Sequence, residues 1–181
     1  MIYGERIRLR RAEREDLPTF TRWINDPEVR EGLSLDLPMS MAQEEKWFED
    51  VLQRPAEEQI LCLEVKRRRS WKLIGNCGYF NFEHRVRSAE LGILIGEKDE
   101  WGKGYGTETM RLLLKFGFGH FNLNRIYLRV YENNPRAIRA YEKAGFVLEG
   151  RQRQAYYADG EYYDVFMMSV LRAEWQLAAN S

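Results

Sequence analysis

Cysteine, histidine and net charge are all scarce in this chain of 181 residues. It has two cysteines and two histidines, and its 28 basic side chains balance 28 acidic ones. Cys62 and Cys77 with two histidines would complete a tetrahedral zinc site only with unusual help, so we expect no metal and two reduced core thiols. A zero net charge lacks the basic footprint of nucleic-acid binding, so we expect no nucleic-acid partner.

Long apolar runs are also missing. Charged residues or glycine interrupt every apolar stretch far short of the ~20 residues that cross a bilayer, so no membrane contact is expected. Residues 1–6 lack the basic and then apolar order of a secretory signal, and a cytoplasmic location is expected. Because 44% of the residues are apolar and no linker or repeat divides the chain, residues 1–181 are expected to form one domain.

The order of the predicted elements mixes helices and strands. Apolar periodicity predicts helices after Glu15 and after Ser40. The middle of the chain alternates as strands do, with a hairpin over residues 60–80 and a further strand over 89–95. The basic run at residues 66–69 is interpreted as the solvated turn of the hairpin, because no aromatic or apolar residue interrupts it.

Three alternating glycines connect that strand to the longest predicted helix. Gly102, Gly104 and Gly106 would let the backbone take left-handed dihedrals and approach a ligand closely. At a helix N-terminus the unpaired N–H groups and the helix dipole favour an anion such as a diphosphate. The spacing excludes a nucleotide-hydrolase loop, because no hydroxyl residue follows Lys103, and it is not the dinucleotide fingerprint. From these residues alone, a plain turn and a phosphate cradle are equally open.

A second motif lies further along the chain. Asn134 followed by Pro135 is a typical helix start, in which the asparagine side chain caps a free N–H. Tyr141 shares a helix face with Ala137, and Gly145 ends the helix. By themselves, these residues favour a capped helix with a core tyrosine.

The chain resembles the GNAT superfamily of N-acetyltransferases in two segments, WGKGYGTE at residues 101–108 and NPRAIRAYEKAGF at residues 134–146. It is most similar to the branch that holds ribosomal-protein N-terminal acetyltransferases and spermidine acetyltransferases. The resemblance covers about residues 7–175. It implies a single-domain α/β (α+β) fold whose mixed, mostly antiparallel sheet is splayed at its centre and carries helices on both faces.

The resemblance also implies acetyl-CoA as co-substrate. Backbone N–H groups of the glycine turn would hold its diphosphate, and the preceding strand would pair with its pantetheine arm. Trp101 replaces the usual Gln or Arg without expected loss, because the cradle uses main-chain donors, whereas Ala137 replaces a frequent serine and removes a side-chain bond. The implied binding residues are Ile93, Leu94, Ile95, Trp101, Gly102, Lys103, Gly104, Tyr105, Gly106, Thr107, Asn134, Ala137 and Tyr141.

The implied reaction is direct attack of a primary amine on the thioester. Tyr141 fits the role of general acid toward the leaving thiolate, and the N–H of Leu94 would polarise the carbonyl. Glu90 is the candidate base, acting directly or through water. A plain strand-end carboxylate is an equally open interpretation of Glu90.

The acceptor amine is expected between the loop at residues 32–39, the helix after Ser40 and the tyrosine-rich residues 156–164. A polyamine or other small amine and a protein N-terminus both suit aromatic and acidic side chains. The Asp159-Gly160 pair nevertheless favours a plain hairpin there. Alternatives are an amino-sugar or antibiotic N-acetyltransferase, a non-catalytic acyl-CoA-binding sensor and a protein-interaction module. The resemblance also admits a homodimer.

Overall fold

The computed structural model of the chain describes residues 1–33 and 37–179. Its strands are β1 (Ile2–Tyr3), β2 (Ile7–Arg11), β3 (Leu61–Lys66), β4 (Trp71–Glu83), β5 (Ser88–Ile95), β6 (Arg125–Tyr131), β7 (Val147–Ala158) and β8 (Glu161–Leu171). Its α-helices are α1 (Leu17–Ile24), α2 (Pro27–Arg30), α3 (Met41–Leu52), α4 (Tyr105–Gly119), α5 (Pro135–Ala144) and α6 (Arg172–Ala179). Short 3₁₀ helices cover Arg14–Asp16, Ala56–Glu58 and Lys98–Glu100.

The strands form one mixed sheet in the order β1-β2-β3-β4-β5-β6-β8-β7. The pairs β1–β2, β2–β3, β3–β4, β6–β8 and β7–β8 are antiparallel, whereas residues 88–90 of β5 run parallel to residues 125–127 of β6. A parallel pair needs a crossover connection, and α4 supplies it. The mixed, mostly antiparallel sheet implied by the resemblance is therefore confirmed.

Residues 1–79 and 92–105 form the first of two compact units. Its core consists largely of apolar side chains from α1 and from strands β2 to β4, and its fully buried members include Ile7, Leu9, Leu17, Phe20, Trp23, Leu63, Ile74 and Tyr79. The predicted hairpin is present as β3 and β4. The helix predicted after Glu15 is also present, but its first turn is 3₁₀ and the α-helix begins at Leu17.

The second unit contains residues 80–91 and the chain from Gly106 onward. Helix α4 buries Met110, Leu113, Leu114, Gly117 and Phe118, whose spacing of three or four residues in the sequence is typical of one face of an amphipathic helix. Gly145 ends α5 with a φ of 104°, as predicted. Asp159 and Gly160 both have positive φ, 51° and 88°, which are the dihedrals of a tight hairpin turn, so the hairpin predicted between β7 and β8 is confirmed.

Both cysteines are free thiols in the core. Burial raises the pKa of Cys77 to about 12, and it also raises the pKa of Cys62, whose thiol donates to Asp16 Oδ2 at 3.3 Å. Neither thiol therefore ionises near neutral pH. Within residues 1–33 and 37–179, no three His, Cys, Asp or Glu side chains group as metal ligands. No helix in that part of the chain has the length and apolar character to span a bilayer.

Candidate active site

The glycine turn, residues 101–105, carries the chain from β5 into α4. Gly102 and Gly104 have φ values of 74° and 84°, in the left-handed region where a Cβ is penalised. The same prediction for Gly106 is wrong, because this residue lies in the first turn of α4 and takes no positive φ. Two glycines, and not three, are needed to turn the chain before the helix begins.

Trp101 anchors the start of the turn to the end of β5. Its indole N–H donates to the Ile95 carbonyl at 2.7 Å. Ile95 and the two residues before it, Ile93 and Leu94, are half-buried in the last part of β5. Trp101, which replaces the usual Gln or Arg, therefore makes a hydrogen bond that positions the start of the turn. The sequence did not indicate this bond.

Glu100, just before the turn, pairs with three basic side chains. Its carboxylate is 4% exposed and accepts hydrogen bonds from Arg67, from Lys72 at 3.2 Å and from Lys103 at 3.1 Å. Burial opposes the ionisation of Glu100, but the bonds from Lys103, Arg67 and Lys72 outweigh it and hold its pKa at about 2. The solvated hairpin turn predicted at residues 66–69 is confirmed, with Lys66, Arg68 and Arg69 exposed, and Arg67 in addition pairs with a buried carboxylate.

The turn fits an anion such as a diphosphate. A Cβ added at Gly102 would meet no atom within 4 Å, so the backbone there borders open space. The first N–H groups of a helix have no intrahelical acceptor, and the helix dipole adds positive potential at the same end. The turn therefore has open space at Gly102 and leads into a helix N-terminus, whose N–H groups and dipole favour an anion.

In the second unit, α4 contacts α5 at the two sequence motifs. Thr107 Oγ1 donates to the Ala140 carbonyl at 3.2 Å, and Arg111 Nη2 donates to the Lys143 carbonyl at 2.5 Å. Both acceptors lie within two residues of Tyr141, which is half-buried. Burial raises the pKa of Tyr141 to about 12. The phenol is therefore protonated at neutral pH, as a general acid must be.

Asn134 has the structural role that its sequence predicted. Its Oδ1 accepts the N–H of Ala137 at 3.1 Å, so this oxygen caps α5. Contact of Asn134 and Ala137 with a co-substrate stays a prediction.

Glu90 is a well-bonded carboxylate in the second unit. It is 8% exposed and accepts from Asn81 Nδ2 and from Arg129 Nε, both at 2.8 Å. Asn81 has a φ of 51°, a left-handed conformation within the long strand β4. These bonds account for Glu90 as a structural residue, and its role as a base stays a prediction.

The tyrosine-rich segment packs both within its hairpin and against β6. The rings of Tyr131 in β6 and Tyr156 in β7 are stacked with centroids 3.9 Å apart, and the ring of Tyr163 lies 6.4 Å from that of Tyr156. Cross-strand packing accounts for these rings, and their contact with an acceptor stays a prediction. Of the predicted acceptor loop at residues 32–39, residues 34–36 lie outside the described residues.

Sequence reasoning missed Glu44 on α3. It shares a buried stripe with Phe48 and Val51 and is 3% exposed. Burial raises its pKa from 4.5 to about 7. A carboxylate placed four and seven residues before two apolar core residues was the available signal.

This buried carboxylate predicts a fall in stability with rising pH. The unfolded chain releases the Glu44 proton near pH 4.5 and the folded chain near pH 7, so the stabilisation is complete below the first value and lost above the second. We expect the free energy of unfolding to fall by up to about 3 kcal/mol across this interval. Carboxylates whose pKa is lowered in the folded chain, such as Glu100, change the free energy of unfolding only at lower pH. Urea titrations from about pH 5 to about pH 8 measure the fall.

Glu44→Gln should remove most of this slope and raise stability at the alkaline end. Glu45→Gln is the matched control, because Glu45 is the exposed neighbour on the same helix. An unchanged slope in Glu44→Gln would show that the carboxyl does not titrate in the core.

Residues 6–147 match the family described as Acetyltransferase (GNAT) domain. An N-acetyltransferase of Bacillus licheniformis called p20 is 29% identical over 174 residues, which cover 96% of this chain and 97% of that protein. The spermidine N(1)-acetyltransferase of Vibrio cholerae is 28% identical over 172 residues, which cover 95% of this chain and 96% of that protein. The crystal structure of the spermidine N-acetyltransferase of Vibrio cholerae with CoA and spermine superposes with a TM-score of 0.85 at 27% identity, covering 96% of this chain and 99% of that one. Because the family match spans more than half of its residues, the chain belongs to the GNAT family of N-acetyltransferases.

Proposed function

We propose that this enzyme transfers the acetyl group of acetyl-CoA to a primary amine of a polyamine or similar small amine, by direct attack. The observation that carries the proposal is the hydrogen bond from Thr107 to Ala140, which ties the helix opened by the glycine turn to the helix of Tyr141. The Vibrio cholerae relatives named for spermidine favour a small polycationic acceptor. A protein N-terminus is the second candidate, since the resemblance also reaches enzymes of that kind.

The residues that would hold the co-substrate come from the two motifs. Main-chain N–H groups over residues 101–107 would bind the diphosphate, and residues 93–95 would offer main-chain partners to the pantetheine arm. Asn134 and Ala137 would border the same arm. When bound, acetyl-CoA supplies a thioester whose carbonyl is open to a neutral amine and whose thiolate is a good leaving group.

Tyr141 would supply the proton that the leaving group needs. A phenol keeps its proton at neutral pH, and burial, which raises the pKa of Tyr141 to about 12, extends this into the alkaline range. The Leu94 N–H would stabilise negative charge that develops on the carbonyl oxygen. Glu90 would take a proton from the acceptor's ammonium, directly or through water, so that the neutral amine can attack, in competition with its bonds to Asn81 and Arg129.

Two measurements on the purified chain test this function in sequence. Thermal unfolding with CoA should show added stability, about 2.7 kcal/mol at a concentration 100 times the dissociation constant. Thiol release from acetyl-CoA is then followed with spermidine, a peptide with a free N-terminus, and an aminoglycoside. We expect the fastest release with spermidine.

Each other outcome selects an alternative. Stabilisation by CoA with no release for any amine would indicate an acyl-CoA sensor, and no stabilisation would indicate an interaction module without the co-substrate. Preference for the peptide or the aminoglycoside would assign the acceptor to that class instead.

A further inference from the structure

Arg6, near the start of the chain, contacts the glycine turn 97 positions later. It lies in the turn between β1 and β2, where the N–H of Gly4 donates to the Ile7 carbonyl at 2.9 Å. Its own carbonyl accepts the N–H of Lys66 at 2.8 Å, so its backbone is fixed to β3. Nη1 of Arg6 then donates to the Lys103 carbonyl at 3.1 Å.

Two further contacts seat the guanidinium on the turn. Its central carbon lies 4.8 Å from the centroid of the Tyr105 ring, within the range of a cation–π interaction. A Cβ added at Gly104 would lie 3.4 Å from Nη2 of Arg6. The guanidinium therefore contacts Lys103 and Tyr105 and lies beside Gly104 between them.

We propose that Arg6 is a positioning residue for co-substrate binding, which sets the direction of the Gly104 N–H before acetyl-CoA arrives. This inference rests on the proposed function. In a trans peptide the carbonyl and the following N–H point in opposite directions. By holding the Lys103 carbonyl, Arg6 directs the Gly104 N–H away from itself, toward the side on which an anion would be bound.

The placement of Lys103 between two left-handed glycines makes this restraint important. Glycine loses more conformational freedom on ordering than any other residue, so an unrestrained turn would lose that entropy when the ligand binds. Arg6 holds the main chain of Lys103, and Glu100 holds its ammonium at 3.1 Å. The turn is thus ordered before binding, which strengthens binding without a direct ligand contact.

The test compares two acetyl donors in the full-length enzyme. S-acetylpantetheine carries the same thioester as acetyl-CoA and no diphosphate. Arg6→Ala should raise the KM for acetyl-CoA and the dissociation constant of CoA about 10-fold, with kcat within about twofold. Its kcat/KM for S-acetylpantetheine should equal that of the wild type.

Arg11→Ala is the matched control. Arg11 is exposed on β2 and makes the same kind of bond, from Nη1 to the Gln59 carbonyl at 3.3 Å, at a place outside the turn. It should leave the kinetics with both donors unchanged. Arg6→Lys keeps the charge and loses the planar fork, so it should weaken CoA binding about threefold, and it replaces Arg6→Ala if the alanine variant does not fold.

The outcomes separate this proposal from the proposed function. Wild-type affinity for CoA in both Arg6 variants would overturn the positioning role. An equal loss of kcat/KM with both donors would show that Arg6 only stabilises the fold. That result would also overturn the positioning role. Failure of the wild-type enzyme to bind CoA would instead overturn the proposed function, and the role of Arg6 with it.

Discussion

Replacing Tyr141 by phenylalanine is expected to lower kcat for amine acetylation by about 10²- to 10⁴-fold, the usual contribution of a general acid. The KM for acetyl-CoA should change less than about threefold, because the hydroxyl acts on charge that develops only in the transition state. Since burial raises the pKa of Tyr141 to about 12, ionisation of this phenol should not reduce the wild-type rate at moderately alkaline pH. Steady-state rates at several pH values measure both effects.

Tyr3→Phe is the control for the loss of a hydroxyl. Tyr3 is 61% exposed on β1, outside every segment assigned to the site, and should tolerate the change with unaltered kinetics. Full turnover by Tyr141→Phe at every pH would remove the acid role. A rate that falls only through a larger KM would assign Tyr141 to binding.

The second large effect is expected from Gly75→Ala. Gly75 is buried in β4, and a Cβ built on it would lie 2.0 Å from the Leu94 carbonyl oxygen and 3.0 Å from the Cα of Ile95. Both contacts are with backbone, which cannot rotate away as a side chain can. We expect the free energy of unfolding to fall by at least about 3 kcal/mol, the upper end of the effects of overpacking. Urea or thermal unfolding measures the loss.

The same substitution bears on co-substrate binding. The backbone that the methyl group would displace is the end of β5, where the proposed main-chain contacts to the pantetheine arm lie. Any folded Gly75→Ala enzyme should therefore also bind CoA more weakly than wild type. Gly150→Ala is the control, since Gly150 also lies in a strand and its Cβ would meet nothing within 4 Å. That variant should match or slightly exceed wild-type stability, and a similar loss in both variants would contradict the steric explanation.

Much of the local structure was predictable because it depends on neighbouring residues. The apolar spacing along α4, the Asn134-Pro135 start of α5 and the Asp159-Gly160 turn are all found as the sequence indicates. Each depends on side-chain periodicity, on one capping bond or on one backbone preference. The left-handed dihedral wrongly expected at Gly106 shows the limit, since a glycine permits such a dihedral but does not require it.

The identity of long-range partners was not predictable from local pattern. Arg67 pairs with Glu100 across 33 positions, although its run of basic residues is typical of a solvated turn. Glu90 pairs with Arg129 across 39 positions, which supports a structural role, whereas its role as a base stays a prediction. Such pairs depend on which strands are neighbours in the sheet, and the residues adjacent in sequence do not specify this.

The sequence by itself thus determined where the helices and turns lie, which thiols are buried and which two motifs carry the resemblance to acetyltransferases. Tertiary structure alone decided that Arg6 holds a turn 97 positions away, that Glu44 is buried with a pKa of about 7, and that Gly75 lies against the backbone of Leu94. The physical reason is that capping, periodicity and dihedral preference act over a few residues, whereas burial and charge pairing depend on the packing of distant segments.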